Sequence, residues 1–66
     1  MRFETEDEAF DRAQQELLDA FMEGQQAGRL NLPASRCPYM PFEPAYNEWQ
    51  RGRMLVIGQQ LLRRSA

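Results

Sequence analysis

The side chains of this chain that could recognise a ligand are arginines and aromatic rings. All eight basic residues are arginine, because lysine and histidine are absent. A guanidinium group suits phosphate or carboxylate partners, and an exposed tyrosine can stack on an unpaired base. If RNA or another partner binds this chain, the residues expected to contact it lie in the middle and second half of the chain: Arg29, Arg36, Tyr39, Arg51 and Arg53. An arginine-rich coding bias would give the same composition without any ligand.

Catalytic chemistry has little support in the sequence. Without histidine or lysine, the usual general bases near neutral pH are missing. Cys37 is the one thiol, and no neighbouring base that could activate it is apparent. One thiolate with carboxylates would also be far from the usual zinc ligand sets. We therefore expect a protein that is not an enzyme and that binds no metal, cofactor or small-molecule substrate.

Charge is distributed unevenly along the chain. Through Glu23, eight carboxylates face two arginines, a net charge of −6; from Gly24 onward, six arginines face two carboxylates, a net charge of +4. We interpret the acidic row as a solvated helix face. An acidic binding surface that mimics nucleic acid is an alternative, and it would use the exposed carboxylates Glu8, Asp11, Glu16, Asp19 and Glu23.

The length of 66 residues allows one small domain, over residues 1–66. A chain this short buries only about 60% of its extended-state surface on folding. An internal disulfide is impossible with one cysteine, so stability must come from burial or from association with a partner. The acidic first residues are unlike a secretory signal, and no apolar run has the length of a membrane span. We expect a cytoplasmic protein without a membrane partner.

The first part of the chain predicts a helix over about residues 5–27. Thr5 and Glu8 have the spacing of an N-terminal capping box. Apolar and small residues recur every three or four positions and place one stripe on the helix: Phe10, Ala13, Leu17, Ala20, Phe21 and Gly24. The small residues Gly24, Ala27 and Gly28 continue this stripe, so a second helix could approach closely there. Gly28 could also end the helix as a C-terminal cap.

A proline-rich loop is predicted over about residues 29–43. Its prolines, together with Pro44, exclude a continuous helix or a central strand. We expect the apolar residues of this loop to fold back over the helices: Tyr39, Met40 and Phe42. In the alternative, the three-residue spacing of Pro38, Pro41 and Pro44 would form a polyproline II ligand for another protein.

A second helix is predicted over about residues 44–64, because proline is favoured in the first helical turn. Ala45, Trp49, Gly52 and Val56 form a stripe that matches the small residues of the first helix. The following apolar residues cover more than one face and form a predicted interaction face: Met54, Leu55, Ile57, Leu61 and Leu62. A strand over this run is the alternative. The fold class is thus all-α, two helices joined by a proline-rich loop, with homodimerisation open as a way to complete the core.

From Gly24 onward the sequence resembles the ribosome modulation factor family, small bacterial proteins that help ribosomes enter a dormant, dimerised state. The resemblance covers about thirty residues and follows three elements in order, with one extra residue before the tryptophan. These elements are Gly24-Gln25-Gln26-Ala27-Gly28, then Cys37-Pro38-Tyr39, then Trp49 with Gly52. The chain departs from the family in its acidic start, in Asn31 in place of a glycine, and in Arg53 in place of a second tryptophan.

The resemblance implies a fold of two helices joined by a loop and a role in translation regulation by ribosome hibernation. It implies the ribosome or ribosomal RNA as partner. The alternative function is a protein-interaction module or homodimer that keeps the fold without binding RNA.

Overall fold

Two long helices make up most of the computed structural model, which describes residues 5–65. Helix α1 spans Glu6–Arg29 and helix α2 spans Pro44–Ser65. A short 3-10 helix, Ala34–Arg36, lies in the loop between them. The described residues contain no strand, so the all-helical prediction is confirmed and the strand alternative for the apolar run is wrong. Residues 1–4, which belong to the acidic start of the chain, and residue 66 lie outside the described range.

The ends of α1 follow the local chemistry of the chain. Thr5 is the N-cap, and its hydroxyl accepts a hydrogen bond of 3.2 Å from the Glu8 amide. The helix continues past Gly28 to Arg29, so the alternative in which Gly28 caps the helix is wrong. The backbone instead turns at Asn31, whose φ of 58° lies in the left-handed region. Asparagine tolerates that conformation better than other residues with a side chain.

The two helices approach each other closely at their glycines. A Cβ atom on Gly24 would collide with the carbonyl of Trp49, and one on Gly52 would collide with the carbonyl of Phe21. At Gly28 it would lie 2.8 Å from the carbonyl oxygen of Arg53. The helix–helix contact predicted from the small residues is therefore confirmed.

Residues further along α1 contact residues further along α2, so the two helices run in the same general direction. Ala45 shares a cleft with Leu17, Trp49 lies against Gly24, and Val56 lies against Gly28. The loop must therefore run back along α1 before α2 begins, and the helices are staggered. The molecule is 56 Å long, whereas the 24 residues of α1 span about 36 Å.

Because of the stagger, most side chains at the start of α1 and in the last turn of α2 are exposed. We name residues 6–12 the α1 overhang and residues 57–65 the α2 overhang. Phe10 is 63% exposed and Ala13 is exposed. The predicted apolar stripe of α1 is thus buried only in its second half, because α2 begins beside Leu17.

The core is small and centres on the helix crossing. Its buried apolar side chains are Ala20, Ala27, Trp49 and Val56. Leu32, Cys37, Tyr39 and Ala45 pack against it from the loop and the start of α2. Trp49 and Tyr39 thus take the structural positions expected from the sequence.

Two loop residues do not cover the core as predicted. Met40 is 59% exposed and Phe42 is 84% exposed. The Glu43 amide donates to the Met40 carbonyl at 2.9 Å, which closes a turn and leaves Phe42 at its tip. The polyproline II alternative is also wrong, because that conformation has no internal hydrogen bonds.

The close helix crossing makes a prediction about stability. Gly24→Ala or Gly52→Ala should lower the free energy of unfolding by about 1–3 kcal/mol or more, because the added methyl group meets backbone atoms that cannot rotate away. Thermal unfolding followed by circular dichroism would show a fall of about 4–8 °C for each kcal/mol.

Gly58→Ala is the matched control. A Cβ atom on Gly58 has no neighbour within 4 Å, so this variant should keep or gain stability, by up to about 1 kcal/mol from helix propensity. Equal melting temperatures for the Gly24, Gly52 and Gly58 variants would contradict the crossing described above.

Candidate nucleic-acid interface

Three of the five predicted binding residues lie at one end of the crossing, which we name the basic end: Arg29, Arg36 and Arg53. The carbonyl of Arg53 lies beside Gly28, the residue before Arg29. Gln50 donates a hydrogen bond of 3.1 Å to the carbonyl of Ala34, two residues before Arg36. Arg29 and Arg36 are exposed, so their guanidinium groups are accessible to a ligand.

Arg53 also has a structural role at the basic end. Its Nε donates a hydrogen bond of 2.7 Å to the carbonyl of Leu32, and the side chain is partly buried. This contact and the one from Gln50 attach the loop to α2. A guanidinium has five donors, so Arg53 can hold the loop and still present N–H groups outward.

Arg51 is separated from the basic end. It shares a groove with Leu17 and Phe21 of α1, and its Nη1 lies 3.1 Å from Glu48 Oε1. The side chain of Arg51 is 71% exposed, so this ion pair contributes little to stability. The structure therefore does not bring Arg51 together with Arg29 and Arg36.

Tyr39 lies in an acidic environment. Its hydroxyl donates a hydrogen bond of 2.9 Å to Glu23 Oε2. It lines a cleft between the loop and α1, which we name the acidic cleft, together with four carboxylate residues: Glu16, Asp19, Glu23 and Glu43. Carboxylates repel phosphate. The position of Tyr39 therefore favours a role in attaching the loop to α1, rather than a role in stacking on a base.

The acidic cleft raises the pKa of Tyr39 from 10.0 to about 12. Burial is the largest cause, followed by the hydrogen bond to Glu23 and the charge of that carboxylate. All three effects favour the protonated hydroxyl, which keeps its hydrogen bond. Within residues 5–65, no three or more cysteine, aspartate or glutamate side chains lie together in a group that could hold a metal ion.

The predicted interaction face of α2 is largely exposed. Met54 is 56% exposed, Leu55 46%, Leu61 57% and Leu62 73%, while Ile57 is half-buried. Most of these side chains line a shallow groove along the helix with Gly58 and Gln59. Among residues 5–65, neither helix is long and apolar enough to cross a membrane.

Comparisons of the chain with protein-family models, with curated proteins and with solved structures give no match. The resemblance to the ribosome modulation factor family therefore stays a prediction, as do the RNA-binding roles of the five residues.

Three contacts that position the loop were not predicted from the sequence. The sequence predicts a solvated position for Glu23 and a ligand-binding role for Arg53, and it carries no signal for a contact of Gln50 with the loop. Glu23 and Gln50 each contact a residue 16 positions away, and Arg53 contacts one 21 positions away. Helical periodicity carries no signal for such separations, because it reports only neighbours three or four residues apart.

The Tyr39 hydrogen bond makes a prediction about alkaline pH. Its folded-state pKa lies above its unfolded value of 10.0, so its contribution to stability is complete below about pH 10 and is lost as pH rises through about 12. In a Tyr46→Phe background, ultraviolet absorbance titration would report Tyr39 alone. Glu23→Gln should lower this pKa towards 10.0, but not fully, because burial remains.

Asp11→Asn makes the same change in charge on an exposed part of α1 and serves as the control. It should leave the titration of Tyr39 nearly unchanged. If the pKa of Tyr39 stays at about 12 in the Glu23→Gln variant, the carboxylate does not act on the hydroxyl as described.

Proposed function

We propose that this chain is a non-catalytic, cytoplasmic RNA-binding protein that associates with ribosomes and modulates translation. The observation that carries the proposal is the basic end. It is supported by the contact of Arg53 with Gly28, the residue before Arg29, and by the contact of Gln50 with the 3-10 helix that contains Arg36. The sequence from residue 49 onward also contains no aspartate or glutamate. Such a surface can neutralise phosphates and release their counterions, which is the main source of nonspecific nucleic-acid affinity.

Separation of charge along the molecule makes this function compatible with a net charge of −2. The carboxylates of α1 lie on the overhang and around the acidic cleft. Screening limits their effect beyond about 8–10 Å at physiological salt. The α1 overhang lies at the opposite end of α1 from Arg29, so a phosphate backbone can bind the basic end without contacting that overhang.

The backbone at Asn31 supports the family resemblance. The family has a glycine at this position, and the left-handed φ of 58° found here is the conformation in which glycine is favoured and asparagine is the next best choice. The substitution therefore keeps the local chain path. It adds to the three sequence elements on which the resemblance depends.

Binding to ribosomes provides the test. The protein should co-sediment with purified ribosomes at low salt, and Arg29→Ala with Arg36→Ala should weaken binding at least tenfold. Removal of two phosphate contacts should also reduce the slope of log affinity against log salt by about 1.4 to 1.8. Arg53 is left intact in this test, because its loss would release the loop.

Arg63→Ala with Arg64→Ala removes the same charge from the end of α2 and is the matched control. This variant should keep most of the binding, and circular dichroism should show that both double variants remain helical. Absence of co-sedimentation at low salt, or equal losses in the two double variants, would contradict a site at the basic end.

A protein-interaction module is the second candidate function. It is favoured by the exposed apolar side chains of α2, which exceed what the small core can cover. If that is the function, the wild-type chain would not co-sediment with ribosomes.

A further inference from the structure

The isolated chain exposes more surface than a compact protein of its size. Its accessible surface is 5493 Å², whereas a compact monomer of this mass exposes about 4,400 Å². The radius of gyration of 14.8 Å likewise exceeds the value of about 11 Å expected for 66 residues. The excess of about 1,100 Å² is close to the roughly 800 Å² that each partner buries in a stable complex.

The apolar side chains that remain exposed lie on both sides of the crossing. On α1 they include Phe10, Leu18 and Met22, and on α2 they include Leu61 and Leu62. Of these side chains, Phe10 lies on the α1 overhang, and Leu61 and Leu62 lie on the α2 overhang. A partner that covers all three must contact both overhangs.

The overhangs have opposite charge and similar length. The α1 overhang carries Glu6, Asp7, Glu8 and Asp11 against Arg12, a net charge of −3. The α2 overhang carries Arg63 and Arg64 and no carboxylate, a net charge of +2. At 1.5 Å per residue, they extend about 10 and 13 Å. Each overhang is thus complementary in charge and size to the other one.

We propose that two copies of this chain form an antiparallel dimer in which the α1 overhang of each copy packs on the α2 overhang of the other. A two-fold axis near the helix crossing brings both pairs together at once, so the same contact occurs twice. Phe10 then lies against the apolar residues at the end of α2, and the carboxylates of α1 face Arg63 and Arg64. The overhang contacts do not involve Arg29, Arg36 or Arg53, so dimerisation and RNA binding can be tested with different variants.

A charge-exchange experiment tests the pairing. The first variant, Arg63→Glu with Arg64→Glu, has two acidic overhangs; the second, Asp7→Arg with Asp11→Arg, makes the α1 overhang basic. Each should be monomeric where the wild type sediments with twice the mass of one chain. The dissociation constant should rise more than tenfold, because like charges are now opposed.

An equimolar mixture of the two variants should recover a dimer containing one copy of each, because both overhang pairs are then again of opposite charge. Sedimentation equilibrium with one labelled variant measures this directly. Arg29→Glu with Arg36→Glu changes the net charge by as much as the first variant but outside the overhangs, so it should remain dimeric. The same variant would lose ribosome binding, which separates failure of the dimer from failure of the proposed function.

Three results would overturn the dimer. The first is a wild-type chain that is monomeric at a concentration of several hundred micromolar. The second is dimerisation of both charge variants to the same extent as the wild type. The third is a mixture that stays monomeric although each variant keeps wild-type helicity by circular dichroism. The last result would show that charge at the overhangs affects association without pairing the two helices.

Discussion

The contact between the two helix backbones at Gly24 and Gly52 is the interaction on which the other features of the structure depend. Side chains are absent from both positions, so each glycine packs against a carbonyl of the opposite helix. The separation between the two helix backbones at these positions is too short for any residue larger than glycine. It also explains how the four apolar side chains that are buried among the described residues can hold together two helices of more than twenty residues each.

The crossing also determines how the loop must run. Since α2 follows α1 in the same general direction, residues 30–43 return along α1 and need attachment on both sides. Tyr39 provides one attachment through Glu23, and Arg53 provides another through the carbonyl of Leu32. The loop is thus part of the fold, although it contributes few buried side chains.

The same stagger separates the charges of the molecule. Carboxylates lie on the α1 overhang and around the acidic cleft, and arginines lie at the basic end and on the α2 overhang. A chain with a net charge of only −2 consequently carries separate acidic and basic surfaces. The proposed RNA contact and the proposed dimer use different parts of this arrangement, and they can coexist.

Local features of this protein could be predicted from its amino-acid sequence. Thr5 marks the start of α1, Pro44 marks the start of α2, and the spacing of small residues identifies the faces that meet, because each of these signals acts within a few residues. Long-range contacts set the direction of α2, the exposure of Phe10 and Phe42, and the use of Arg53 to hold the loop, and these could not be predicted from the sequence. Periodicity shows which face of a helix is apolar, but it does not show how far along that face a partner extends. That depends on the path of a fourteen-residue loop, whose contacts join residues far apart in the chain.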